Sequence, residues 1–192
     1  CTLLGLLIGG GLGLTAAYFG GRTDNIIMRF IDIIQAIPSI LLCIALVAIL
    51  GNGMWQLIVA ITAGTIQGMT KNVRAAVFMV RNNEYVNSSK SIGVSDLHIM
   101  LKHLIPNAVG MIVINAIGVI SGMILTISSL SYLGVGLTPP TPEWGAILSE
   151  GKQYMAVAPH MVYFPGLMIA ITVVAFNLFG NGLRDALDPR LK

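Results

Sequence analysis

Asn82–Asn107, NNEYVNSSKSIGVSDLHIMLKHLIPN, is the stretch that decides how the rest of the chain must be read. It is the longest polar and charged run in an otherwise apolar sequence. Arg81 stands at its edge, and Glu84, Lys90, Asp96, His98, Lys102 and His103 lie within it. A charge at the centre of a bilayer costs about 2.5–3.5 kcal/mol or more, so this stretch must lie in water. On both sides the chain returns to segments fit for hydrocarbon. Of its 192 residues 55% are hydrophobic and 10% charged, against about 25% charged in an ordinary soluble domain. Mean hydropathy is +0.83. The expected class is an all-α, polytopic transmembrane helix bundle with one substantial cytoplasmic feature.

Working towards the N-terminus, five apolar segments in the whole chain are candidate spans, each near the roughly 20 residues that a membrane helix needs. The first covers residues 2–20. Gly5, Gly9 and Gly13 repeat every four residues there and share one helix face, a small-residue face that lets a neighbouring helix approach closely. A polar turn is expected over 20–32, with Arg22, Asp24, Arg29 and Asp32. The second span runs over 33–50, with Pro38 kinking its first turns. Gly51-Asn52-Gly53 is a tight turn beside Trp55, an interfacial residue type. The third span is 54–69. The chain opens on Cys1, which enters an apolar run directly. The expectation is a single domain over 1–192 that has lost its true N-terminus, with a sixth span upstream. Cys1 and Cys43 both fall in apolar segments, against a disulfide framework or thiolate metal site.

Towards the C-terminus, the fourth span is 108–130. A longer loop over 131–159 carries Pro139, Pro140, Pro142 and Pro159. Within it 143–155 is expected as a short surface helix anchored by Trp144, Ile147, Leu148 and Tyr154. The fifth span is 160–183, followed by a polar tail. With Thr70–Asn107 in the cytoplasm, ten of the eleven Lys and Arg residues are inside and Lys152 alone is outside. The positive-inside rule therefore puts the C-terminus in the cytoplasm.

The central stretch itself reads as two short helices joined at Gly93. The first covers about 72–92, where Phe78, Tyr85 and Ile92 share a face at seven-residue spacing. Gly93 is a natural C-terminal stop. Ser95 or Asp96 caps the second helix, Leu97, Met100 or Leu101, and Leu104 give it an apolar stripe, and Pro106 ends it. Spacing alone leaves two readings open: a hairpin resting on lipid headgroups, and one docking on another protein.

Several classes are disfavoured. There is no GxxxxGK[ST], HExxH or GxSxG, so no nucleotide, zinc-protease or hydrolase motif. His98 and His103 stand five apart, a poor pair for one helix face and a metal. No charged residue lies near the middle of any span, where ion-coupled carriers often place one. Thr62, Gln67, Asn115, Ser121 and Asn177 are polar groups within apolar spans. They are the candidates for lining a translocation route, although such groups more often bond a neighbouring helix.

The stretch resembles the cytoplasmic signature loop of bacterial ABC importer permeases. That pattern is Glu-Ala-Ala, three residues, Gly, nine residues, Ile-x-Leu-Pro. Here Asn87-Ser88-Ser89, three residues, Gly93, nine residues and His103-Leu104-Ile105-Pro106 stand in that order. Asn replaces the acid and Ser each Ala, which keeps the small size and removes the charge. Glu84-Tyr85-Val86, Ser95-Asp96-Leu97, and His103 followed by Pro106-Asn107 are similar to the dipeptide, oligopeptide and nickel branch. So are the segments Tyr18–Leu42, Ser131–Gly145 and Ala175–Lys192.

The resemblance implies the type I ABC importer permease fold in a bacterial or archaeal cell membrane. It makes 72–106 the region that couples to ATPase subunits, with Gly93 as docking turn. Glu84, Tyr85, Asn87, Ser88, Ser89, Asp96, His103 and Pro106 belong to that contact. The implied partners are a second, unlike permease subunit, two ATP-binding subunits that hold ATP and Mg, and an extracytoplasmic substrate-binding protein. Nucleic acid is not among them, and this chain carries neither cofactor nor catalysis of its own. The implied cargo is a di- or oligopeptide, with nickel or another small solute as the alternative. An ATP-independent carrier or channel is the alternative from a different class.

Overall fold

A computed structural model describes residues 1–137 and 140–187, and all regular elements among them are helical. Pro139, Arg190 and Lys192, which entered the loop and charge readings above, lie outside the described residues. The helices are α1 (Thr2–Phe19, with a π turn at Leu6–Gly10), α2 (Gly21–Gln35), α3 (Ser39–Leu50) and α4 (Met54–Val80). They continue with α5 (Glu84–Ser91), α6 (Asp96–Tyr132, with a π turn at Met100–Leu104), α7 (Trp144–Gly151) and α8 (His160–Leu187). Among the described residues α1, α6 and α8 are long and apolar enough to cross a membrane. The pair α2 and α3 would make a fourth span if counted as one, bent by 79°.

Two compact units make up the chain. One contains Thr2–Ala36, Ile66–Ala116 and the chain from Gly182. Its core gathers Leu14, Ala17 and Tyr18 of α1, Val73, Ala76 and Val77 of α4, Val86 of α5, and Ile99, Met100, Leu104, Ala108 and Ile112 of α6. The glycine face expected on α1 is used here. A Cβ on Gly9 would meet the Ile66 carbonyl oxygen at 2.8 Å, and one on Gly13 would strike the Thr70 carbonyl and stand 2.9 Å from the Arg74 nitrogen. Only hydrogen at these positions lets the two backbones touch. Packing of this kind is the main attraction between helices where lipid removes the hydrophobic drive.

The other unit contains Cys1, Ile37–Thr65 and Ile117–Asn181. Cys43 and Val47 of α3, Leu57, Ala60 and Ile61 of α4, and Met123 and Leu130 of α6 form its core. The buried Cys43 thiol donates to the Ala60 carbonyl at 3.3 Å. The short helix expected over 143–155 is present as α7 followed by a 3-10 turn at Lys152–Tyr154. Gly145 brings it against the Ser128 backbone, where a Cβ would stand 2.6 Å from the carbonyl oxygen.

Four local expectations need correction. Residues 20–32 are not a turn: Gly20, with φ of +64°, breaks the chain and α2 follows at once. Its Asp24 and Asp32 find cationic partners on α4, so the charges that looked like a loop are one face of an amphipathic helix. The second span at 33–50 is interrupted, because Pro38 has ψ of 130° and α3 has only 12 residues. The third span at 54–69 is part of the 27-residue α4. That helix has the length to cross, and Gln56, Thr62, Thr65, Gln67, Thr70 and Lys71 make it more polar than α1, α6 and α8.

The fourth correction concerns the hairpin. Its first arm does not run unbroken over 72–92: the helix stops at Val80 and restarts at Glu84, and Ile92 is exposed instead of sharing a buried face with Phe78 and Tyr85. Its second arm does not end at Pro106, since helix runs on to Tyr132. A proline ring collides with the carbonyl four residues before it in a regular helix. Here the π turn at Met100–Leu104 includes Lys102, the residue four before Pro106, and widens the helix where the ring would collide. The Asn107 side-chain amide donates to the His103 carbonyl at 2.6 Å.

Candidate functional site

The site is the hairpin between α4 and α6. Asn83, with ψ of 150°, leads into α5. Val86 is fully buried in the core described above, which fixes the rotation of the helix about its axis. Glu84, Asn87, Ser88 and Ser91 then fall on the opposite side, at the i, i+3, i+4, i+7 spacing of a single face. They line a shallow concave surface together with Ile92. Ile92 is 79% exposed.

Gly93 ends α5 in a Schellman motif. Its N–H donates to the Lys90 carbonyl at 3.1 Å, and the Val94 N–H to that of Ser89 at 3.1 Å. The motif needs a left-handed residue, and Gly93 has φ of +80°. A Cβ placed there would meet nothing within 4 Å, so the turn projects into open space.

The expected contact residues divide. Glu84, Asn87, Ser88 and Gly93 point outwards. Tyr85 and Ser89 are half-buried, and the Ser89 hydroxyl donates to the Tyr85 carbonyl at 2.8 Å. His103 is also half-buried, its ring centre 6.4 Å from that of Tyr85 and 6.0 Å from that of His98. Pro106 lies within α6. Ser95 takes the N-cap backbone position without a capping side-chain bond. Asp96 does not cap either: its carboxylate accepts a 2.5 Å bond from the Tyr18 hydroxyl.

Tyr18 is a residue the sequence reading missed. So is Arg81, whose guanidinium donates to the Ala17 carbonyl and lies 4.7 Å from the Phe78 ring centre. Lys90 sits 4.5 Å from the Tyr18 ring centre. A polar tip at the very end of an apolar span was the one sequence signal pointing to Tyr18. Below it, α2 is tied to α4. Arg74 binds Asp24 with two bonds of 2.5 and 2.6 Å, and Lys71 binds Asp32 at 3.0 Å and also Gln35.

The candidate pathway residues are divided between the two units. In the second unit Thr62 and Ser121 are buried with hydroxyl oxygens that meet no hydrogen-bond partner, and Asn177 is exposed. In the first unit Gln67 and Asn115 are half-buried. The second unit also holds Glu143. Its Oε2 accepts from the Ser131 hydroxyl at 2.5 Å while Oε1 is buried without a partner. Burial pushes this carboxyl above its ordinary value, against the lowering effect of the Ser131 bond. Among the described residues no cluster of three or more His, Cys, Asp or Glu side chains gathers as a metal site would require.

Residues 9–192 match the family model described as binding-protein-dependent transport system inner membrane component. The glutathione transport system permease protein GsiD of Pectobacterium atrosepticum is 46% identical over 190 residues, which is 99% of this chain and 63% of that protein. GsiD of Escherichia coli O6:K15:H31 is 46% identical over 98% of this chain and 62% of that protein. The chain thus spans under two thirds of the length of these relatives. Among solved structures, an inward facing conformation of the MetNI methionine ABC transporter matches with a TM-score of 0.77 over 97% of this chain and 89% of that one. Sequence identity there is 20%, so the likeness speaks for the fold alone. The all-helical architecture, the hairpin motif at its expected spacing and a family match over nearly the whole length agree: the chain belongs to the binding-protein-dependent transport system inner membrane components, within the peptide branch of the ABC importer permeases.

Proposed function

We propose that this chain is a translocation subunit of an ATP-driven importer, and that residues 72–106 couple it to separate ATPase subunits. One observation carries the reading. The α5 helix buries Val86 in the core and turns Glu84, Asn87, Ser88, Ser91 and Ile92, with the Gly93 turn, to solvent. Small polar residues on one face of a seated helix give a knob that a groove on another protein can take up. The partners in this reading are two ATPases holding ATP and Mg, a second permease subunit, and an extracytoplasmic binding protein. The chain forms the pathway within one permease domain and performs no catalysis of its own. Its place is the bacterial inner membrane, with the hairpin and C-terminus cytoplasmic by the charge distribution. The cargo is a short peptide, a class that includes the glutathione of the relatives' names.

The test is purification of the full-length protein from its native membrane in mild detergent, with identification of what accompanies it. An ATPase and a second permease should be recovered, and Ser88→Trp on the exposed face should lose the ATPase while the permease pair persists. Recovery of the protein alone, able to move solute in liposomes without ATP, would overturn the reading and favour a carrier or channel.

A further inference from the structure

Building on that reading, we propose that Tyr18 is a positioning residue, a clasp by which both arms of the hairpin hold the last turn of α1 and pass their displacement to it. Tyr18 is 5% exposed. Its hydroxyl is a donor that burial obliges to find a partner, and the partner is Asp96, 78 positions further along the chain. Lys90 covers the ring from the other arm. Lys90 lies in the last turn of α5 and Asp96 begins α6, so the Gly93 turn lies between the two grips. A push on that turn moves both.

A third hold lies one residue earlier. Arg81, in the turn that leads into α5, donates to the Ala17 carbonyl. That carbonyl is in the last turn of α1, where the helix has free acceptors and a partial negative charge. Two cations and one hydrogen-bonded carboxylate from the hairpin and its leading turn thus converge on two consecutive residues.

Apolar packing alone would not transmit direction in this way. Val86, Ile99 and Leu104 seat the hairpin, but such contacts permit sliding. The Tyr18–Asp96 bond is short, directional and charge-assisted, the strong kind. At the far end of its contact face α1 is locked to α4 by Gly9 and Gly13, so a force delivered at Tyr18 acts on a supported helix.

The experiment uses the full-length protein assembled with its partner subunits in liposomes. It measures ATP hydrolysed and peptide taken up, with a mixture of di- and tripeptides including glutathione as probe. The readout is uptake per ATP, a ratio that loss of folded protein does not change. Tyr18→Phe keeps the ring and deletes the bond. It should lower the ratio about tenfold, the effect of losing one charge-assisted bond. Asp96→Ala should do the same, and the double variant should be no worse than either single one. Lys90→Gln, at an exposed side chain, should lower the ratio about twofold to threefold. It carries the test if Tyr18→Phe fails to reach the membrane. A normal ratio in Tyr18→Phe, or losses that multiply in the double variant, overturns the clasp and leaves the permease reading intact. A wild-type assembly that takes up no peptide on ATP removes that reading and the clasp with it.

Discussion

Gly93 offers a way to separate backbone strain from partner contact. The space around its missing side chain is open, so alanine and leucine should be equally tolerated by the isolated chain. Each must adopt a φ near +80°, and the left-handed region costs an L-residue about 1–2 kcal/mol. For a protein of this size 1 kcal/mol corresponds to about 2–4 °C in melting temperature. Gly93→Ala and Gly93→Leu should therefore both melt about 2–8 °C below the parent in detergent, and together within error. Asparagine, which tolerates this conformation better, should fall between them and the parent. Peptide uptake driven by ATP should not treat the two alike. If the turn enters a groove, leucine overfills it at a cost of about 1–3 kcal/mol, roughly a thirtyfold loss of coupled uptake at the midpoint. Alanine should stay within about threefold of the parent on the same scale. Equal uptake by the alanine and leucine proteins would refute the docking assignment. Melting far lower for leucine than for alanine would refute the open-space argument on which the comparison stands.

Other outcomes follow from the packing and charges. Gly13→Val must push α1 off the Thr70 and Arg74 backbone, so folded yield should collapse, whereas Gly11→Ala, with nothing within 4 Å of its Cβ, should purify like the parent. Arg74→Ala strands the part-buried Asp24 carboxylate, whose side chain is 13% exposed, and should destabilise by about 1–3 kcal/mol; adding Asp24→Leu should recover much of that, read from melting in a double-variant cycle. Glu143 has its proton affinity raised by burial above the ordinary 4.5, so its contribution to stability is full below pH 4.5 and is lost as pH rises through the raised value. In a Trp55→Phe background the fluorescence of Trp144, its neighbour, should report that local loosening, and Glu143→Gln should flatten the pH profile.

The parts of the fold visible in the sequence are those set by local pattern. The glycine spacing of α1 is a small face whatever lies opposite, and Gly93 ends a helix because only glycine enters the left-handed region at no cost. What escaped were elements decided by distant partners. The charges of α2 read as a loop because Arg74 and Lys71 stand 50 and 39 positions away. Asp96 read as a cap because its proximity to a helix start is local, while Tyr18 is not. Pro106 read as a stop because propensity has no means of showing a widened turn just before it. At the site, the exposed members Glu84, Asn87, Ser88 and Gly93 could be named from motif spacing. Their separation from the half-buried Tyr85, Ser89 and His103 depended on how Val86 rolls the helix.

The solvent face of α5 also sets how firmly anything can hold it. Interfaces draw most of their affinity from a few aromatic or arginine anchors in deep pockets, and this face has none. Glutamate, asparagine and two serines offer shape and hydrogen bonds that water supplies almost as well. Ile92 is the single large apolar group they present. A partner seated here would find one large apolar anchor, Ile92, and its residence time would lean on that side chain. In the reading proposed above, Ile92→Ala should shorten the stay of an ATPase on this face more than Ser88→Ala or Ser91→Ala does, because it removes the one large apolar group.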